Sequence, residues 1–179
     1  VSTAGSDQEI CGTTSVTLAA NTPLTGTGSW SKISGTGGSF VSTSNPTTIF
    51  NGTSGVVYIL RWTITTATCG ISSDDVQVSF YQNPSIANAG LDQTLCGQTS
   101  ASLTAVAPTS GIGTWTIVSG GAGSFSAVNS ATSTFNGTAG NTYQLRWTIS
   151  NATCISSSDD VTISFPKNPT TADAGPAQY

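Results

Sequence analysis

Apolar residues recur at every second position in short runs along this chain. The clearest run is Val57 to Thr65, where Tyr58, Leu60, Trp62 and Ile64 share one face and Ile59, Arg61 and Thr63 share the other. A period of two with one apolar face predicts a strand in a sheet that packs on a second sheet. Ser15 to Ala20 puts Val16, Leu18 and Ala20 on one face. Gly28 to Ile33 carries Trp30, and Thr47 to Phe50 ends at an Asn51-Gly52 turn. Asp75 to Phe80 turns Val76, Val78 and Phe80 inward. No stretch holds the 3.6-residue period of a helix.

The pattern then repeats. Tyr143, Leu145, Trp147 and Ile149 form an apolar face against polar Gln144, Arg146 and Thr148. Cys11 matches Cys96, Trp30 matches Trp115, Phe50 matches Phe135, and Cys69 matches Cys154, each at an offset of 85 residues. Tyr58 and Tyr143, Trp62 and Trp147, and Phe80 and Phe165 keep the same offset, so no insertion separates the copies. A tandem repeat of this length is two copies of one small domain. The expected division is 1–84, 85–169, and a segment 170–179 that starts a third copy, since Ala174-Gly175 and Gln178 repeat Ala89-Gly90 and Gln93. The chain therefore reads as part of a longer array. About seven short strands per copy predict an all-β fold of antiparallel β-sandwiches. Asn83-Pro84 and Asn168-Pro169 mark short linkers with restricted freedom, and an extended, semi-rigid array is expected.

Composition narrows the function. Of 179 residues only 4 are basic and 8 acidic, and there is no His. Four scattered cations make no phosphate-neutralising footprint, which argues against nucleic acid. No apolar run approaches the length of a membrane span. Catalysis through His is excluded. Abundant Val, Ile, Thr and aromatics are strand formers rather than the mark of a disordered chain.

The motifs Ala-Gly-x-Asp-Gln-x-x-Cys-Gly, Gly-x-Trp, Asn-Gly-Thr, Tyr-x-Leu-Arg-Trp-Thr-Ile, Ala-Thr-Cys and Ser-Ser-Asp-Asp-Val run through both copies. They resemble Ig-like repeats of the polycystic-kidney-disease (PKD) type in large cell-surface proteins of Bacteroidetes, of adhesin or gliding type. The resemblance departs at Trp115-Thr116-Ile117-Val118-Ser119-Gly120, where PKD domains proper carry an acidic Trp-Asp-Phe-Gly-Asp-Gly motif. It implies tandem Ig-like (PKD-like) sandwiches in an extracellular, cell-surface protein, serving as a non-catalytic spacer or stalk of an adhesin or motility filament. Two alternatives stand beside it, a self-assembling extracellular fibre subunit and a glycan-binding module. The expected partners are further copies of the repeat, along the chain or in neighbouring subunits, and a surface glycan.

Four cysteines at repeat-matched positions point to an oxidising compartment. Pairing within each copy, Cys11–Cys69 and Cys96–Cys154, is the expected arrangement. It closes loops of about 58 residues, which loop entropy makes worth roughly 4 kcal/mol each. The alternative is Cys11–Cys154. In an ordinary Ig sandwich Cys11 lies near the turn between the first two strands and Cys69 in the last hairpin, at the opposite pole. Cys69 and Cys96 would then pair with further neighbours. Free thiols are the third arrangement.

Among the acids, Asp75 faces Arg61 and Asp160 faces Arg146 across adjacent strands, so surface ion pairs are expected. Asp7, Asp74, Asp75, Asp92, Asp159 and Asp160 are also weak candidates for Ca²⁺, which takes hard oxygen ligands. No other cofactor is expected. Trp30, Tyr58, Trp62, Trp115, Tyr143 and Trp147 are expected in the core, with the tyrosine hydroxyls anchoring a corner. No enzymatic activity is expected, because small sandwiches lack a deep cleft for paired carboxylates.

Overall fold

A computed structural model of the chain describes residues 1–173 and 175. Among these residues all regular structure is β. The first copy holds β1 (Gln8–Cys11), β2 (Ser15–Thr17), β3 (Thr27–Ser34), β4 (Ser39–Phe40), β5 (Ile49–Asn51), β6 (Val57–Thr66) and β7 (Gly70–Tyr81). The second holds β8 (Gln93–Thr94), β9 (Ser100–Ser102), β10 (Ile112–Ser119), β11 (Ser124–Phe125), β12 (Thr134–Asn136), β13 (Thr142–Ser150) and β14 (Ser157–Ser164). Each copy is a sandwich of a four-stranded sheet, β1-β7-β6-β3 or β8-β14-β13-β10, and a three-stranded sheet, β2-β5-β4 or β9-β12-β11.

Pairing is antiparallel with one exception per copy. β1 runs parallel to β7, from Gln8↔Val78 to Cys11↔Tyr81, and β8 runs parallel to β14 at Ile163↔Gln93. Both strands are short and lie at a sheet edge, where one side of the ladder is open.

Each sandwich has its own core. In the first, Tyr58, Leu60 and Trp62 are fully buried against Phe50, Leu18, Trp30, Val78 and Phe80. In the second, Tyr143, Leu145 and Trp147 are buried with Phe135, Leu103, Trp115, Ile163 and Phe165. The rings interlock at 5.2 Å for Trp30–Trp62 and 5.1 Å for Trp115–Trp147, within the range where tilted aromatic pairs attract.

Buried polar atoms on these rings need partners, and both copies supply the same ones. Trp62 Nε1 donates to the Asn21 carbonyl and Trp147 Nε1 to that of Val106. The Tyr58 hydroxyl donates to the Thr36 carbonyl at 2.8 Å and accepts from the Thr53 amide at 2.9 Å. Tyr143 does the same with Ala122 and Thr138. For Tyr143, burial pushes the hydroxyl pKa up, but hydrogen bonds from Thr138 and Asn141 outweigh it and the net shift is downward.

The chain divides into two compact units. One comprises Val1–Pro84 with Asn151–Ile155, the other Ser85–Ser150 and the residues from Ser156 onward. In the expected third copy, Ala174 and residues 176–179, including Gln178, lie outside the described residues. Gly175 accepts the same local turn as Gly90: its amide donates to Asp173 Oδ1 at 2.8 Å, as that of Gly90 donates to Asn88 Oδ1 at 2.9 Å.

Candidate functional site

The cysteines carry the chemistry of this fold. Cys11 closes β1 opposite Tyr81, the last residue of β7. Cys69 sits in the hairpin just before β7 begins at Gly70. The two therefore stand at opposite ends of a 12-residue strand, about 35 Å apart at the rise of an extended chain. A disulfide needs its Cα atoms within about 7 Å. The expected Cys11–Cys69 pair is not formed for that reason. The expected Cys96–Cys154 pair fails in the same way, since Cys96 follows β8 and Cys154 precedes β14. The bond that forms is Cys11–Cys154, with Cα atoms 5.6 Å apart. It joins the first cysteine of copy one to the second cysteine of copy two. Asn151 Nδ2 flanks it with a 2.8 Å bond to the Gln82 carbonyl. Cys69 and Cys96 are free and exposed.

The acids hold the fold's edge. Asp74 Oδ2 accepts from the Ala4 amide at 2.8 Å, and Asp159 Oδ2 accepts from Ala89 at the same distance. Ser72 and Ser157 accept from Ser2 and Ala87 two residues earlier. Asp7 and Asp92 reach back to the amides of Gln77 and Thr162. Side chains thus stand in for ladder carbonyls and lead the chain into β1 and β8. Asp75 and Asp160 instead receive two bonds each from Arg61 and Arg146, at 2.7 and 2.8 Å. Hydrogen bonding from the arginine holds each carboxyl below its ordinary value against a small burial penalty, and each arginine is raised in turn. All six candidate Ca²⁺ ligands therefore have protein partners. Among the described residues no three or more His, Cys, Asp or Glu side chains gather as a metal site.

One shallow pocket adjoins the free Cys69. It is lined by Val1, Asn21, Leu24, Ile64, Cys69 and Ile71, among others. Leu24 and Ile71 are apolar yet exposed, at 102% and 73%. The tryptophans, in contrast, are all buried. Sequence reading did not foresee the edge-capping roles of Ser72, Asp74 and Asp7, although their recurrence at 85 residues was a signal.

The chain is an all-β tandem of Ig-like sandwiches. Murine CEACAM1b is similar over 88% of this chain and 95% of its own, with a TM-score of 0.54 and 15% identity. The PKD domain from KIAA 1837 protein is similar over 52% of this chain and 92% of its own, with a TM-score of 0.39 and 20% identity. Fibronectin(III)-like modules of CbhA from Clostridium thermocellum cover 93% of this chain and 95% of theirs, with a TM-score of 0.41 and 11% identity. No family model matches the chain, and no curated protein matches it. No helix among the described residues is long and apolar enough to cross a membrane.

Proposed function

We propose that the chain is a non-catalytic spacer or stalk segment of an extracellular bacterial surface protein, an adhesin or motility filament of the Bacteroidetes type. The observation that carries this reading is the Cys11–Cys154 disulfide. Such bonds persist in oxidising compartments outside the cytosol. This one also ties one repeat copy to the next, so tension along the chain passes through a covalent bond rather than through the folded strands alone. Catalysis would need a cleft with free acid and base groups, and Asp7, Asp74, Asp75, Asp92, Asp159 and Asp160 are committed to backbone amides and arginines.

An antibody raised against the purified chain tests the location. Intact, unpermeabilised cells that produce the protein should stain at the surface. Staining that appears only after permeabilisation would overturn the reading.

A further inference from the structure

We propose that the hairpin tip Asn151–Ile155 is a thiol-controlled latch: the Cys11–Cys154 bond holds it on the first unit, reduction releases it, and Ile155 keeps it from closing onto its own strands. The inference rests on that bond and not on the spacer reading.

The two copies build the same hairpin in two ways. In the first, the β6–β7 ladder runs on through Ile64↔Ser72 and Thr65↔Ile71 to Thr66↔Gly70. Gly70 turns the corner at φ +87°. The Thr66 hydroxyl seals the tip, accepting from the Cys69 amide and donating to the Gly70 carbonyl, both at 3.1 Å. In the second, the β13–β14 ladder stops at Ile149↔Ser157, the counterpart of Ile64↔Ser72, so its last two pairs are missing. Asn151–Ile155 leave the strands and group with the first unit.

Two residues account for the difference. Ile155 stands 85 residues after Gly70. A left-handed φ is open to Gly but costly for a branched Cβ, so Ile155 bars the closed tip. Asn151 stands 85 residues after Thr66, and its side chain donates outward to the Gln82 carbonyl at 2.8 Å. The left-handed residue of this tip is Ala152, at φ +47°, whose methyl bears that conformation better than a branched chain. Inside the tip the Cys154 amide closes one turn onto the Asn151 carbonyl at 3.0 Å. With its ladder open, the tip depends on the disulfide for its place.

The reductant is a dithiol. Its thiolate attacks Cys11 Sγ, because Cys11 is half-buried while Cys154 is 7% exposed. The S–S bond breaks, and Cys154 leaves as a thiolate and takes a proton. The second dithiol sulfur then displaces Cys11 as a thiol. The protein gains two electrons and two protons, and the dithiol becomes a cyclic disulfide.

Two measurements on the full chain test the latch. In the first, the chain is reduced with a dithiol, the reagent is removed without air, and a pulse of iodoacetamide is mapped by mass. A released Cys154 should label within about threefold of the exposed Cys69, whereas a tip still docked would slow it about tenfold or more. The second titrates the Cys11–Cys154 bond in glutathione buffers. Ile155 is 92% exposed, so Ile155→Gly leaves both cores intact. It lets the reduced tip close as the first copy's does, and the bond should then be reduced about tenfold more readily. Ile155→Val keeps the branched Cβ and should titrate with the unsubstituted chain. Slow labelling of Cys154, or one midpoint shared by all three proteins, would overturn the latch and leave the spacer reading standing. An oxidised chain without the Cys11–Cys154 linkage would overturn both.

Discussion

Replacing Cys11 and Cys154 together by Ser should lower the free energy of complete unfolding by about 5 kcal/mol, the value that loop entropy assigns to a loop of 143 residues. The effect is large because the bond encloses most of the chain and so removes much of the freedom of the unfolded state. Denaturant titration of the oxidised protein and of the double variant measures it as the sum over all unfolding transitions. Reduced wild-type protein should match the double variant. The Cys69→Ser and Cys96→Ser variants should match the oxidised wild type when kept monomeric, because those thiols close no loop. Equal stability of the oxidised and reduced proteins would contradict this assignment.

The second large effect lies in the core of the second sandwich. Gly113 on β10 packs flat against the Trp147 ring: an added Cβ would stand 2.0 Å from Cζ2 and 2.3 Å from Cη2. The ring has nowhere to go. It is fully buried, packed at a tilt against Trp115, and held by its bond to the Val106 carbonyl. Gly113→Ala should therefore cost about 3 kcal/mol, the upper part of the overpacking range. Trp147→Phe removes the two clashing carbons, and the Gly113→Ala/Trp147→Phe pair should be more stable than the sum of the two losses, by about 1 kcal/mol or more. Strict additivity in a double-mutant cycle would show that the glycine is not kept for this ring. Gly28 and Trp62 make the same contact in the first copy, at 2.1 Å, and a matching result is expected there.

Much of this architecture was readable before any coordinates. The alternation of Tyr58, Leu60, Trp62 and Ile64 placed β6 and its inward face, and the constant 85-residue offset carried every feature of the first copy to the second. The glycines of Gly-x-Trp were visible as a motif, but only the packed rings show why no side chain fits there. A first strand ahead of Cys11 was expected, but not its parallel pairing with β7, because that pairing joins residues 70 apart. Asp7 and Asp74 were weighed as cation ligands for the same reason, since their partners are backbone amides 70 residues away. The cysteines show a further limit of sequence reading. Loop entropy rewards any long loop, and the 143-residue loop even more than the expected 58-residue ones, so it cannot choose a pairing. The choice was made by the length of β7, which holds Cys11 and Cys69 at its two ends.

The most direct test of the account is to stretch single molecules held at their two termini, with and without reductant. If Cys11–Cys154 bears the load, the residues between them stay locked in the oxidised protein, and only the chain outside the bond lengthens. Adding a reductant should then release roughly 470 to 515 Å of further length, the extended span of 143 residues. Full extension of the oxidised protein, with no added length on reduction, would contradict the claim that tension passes through this disulfide.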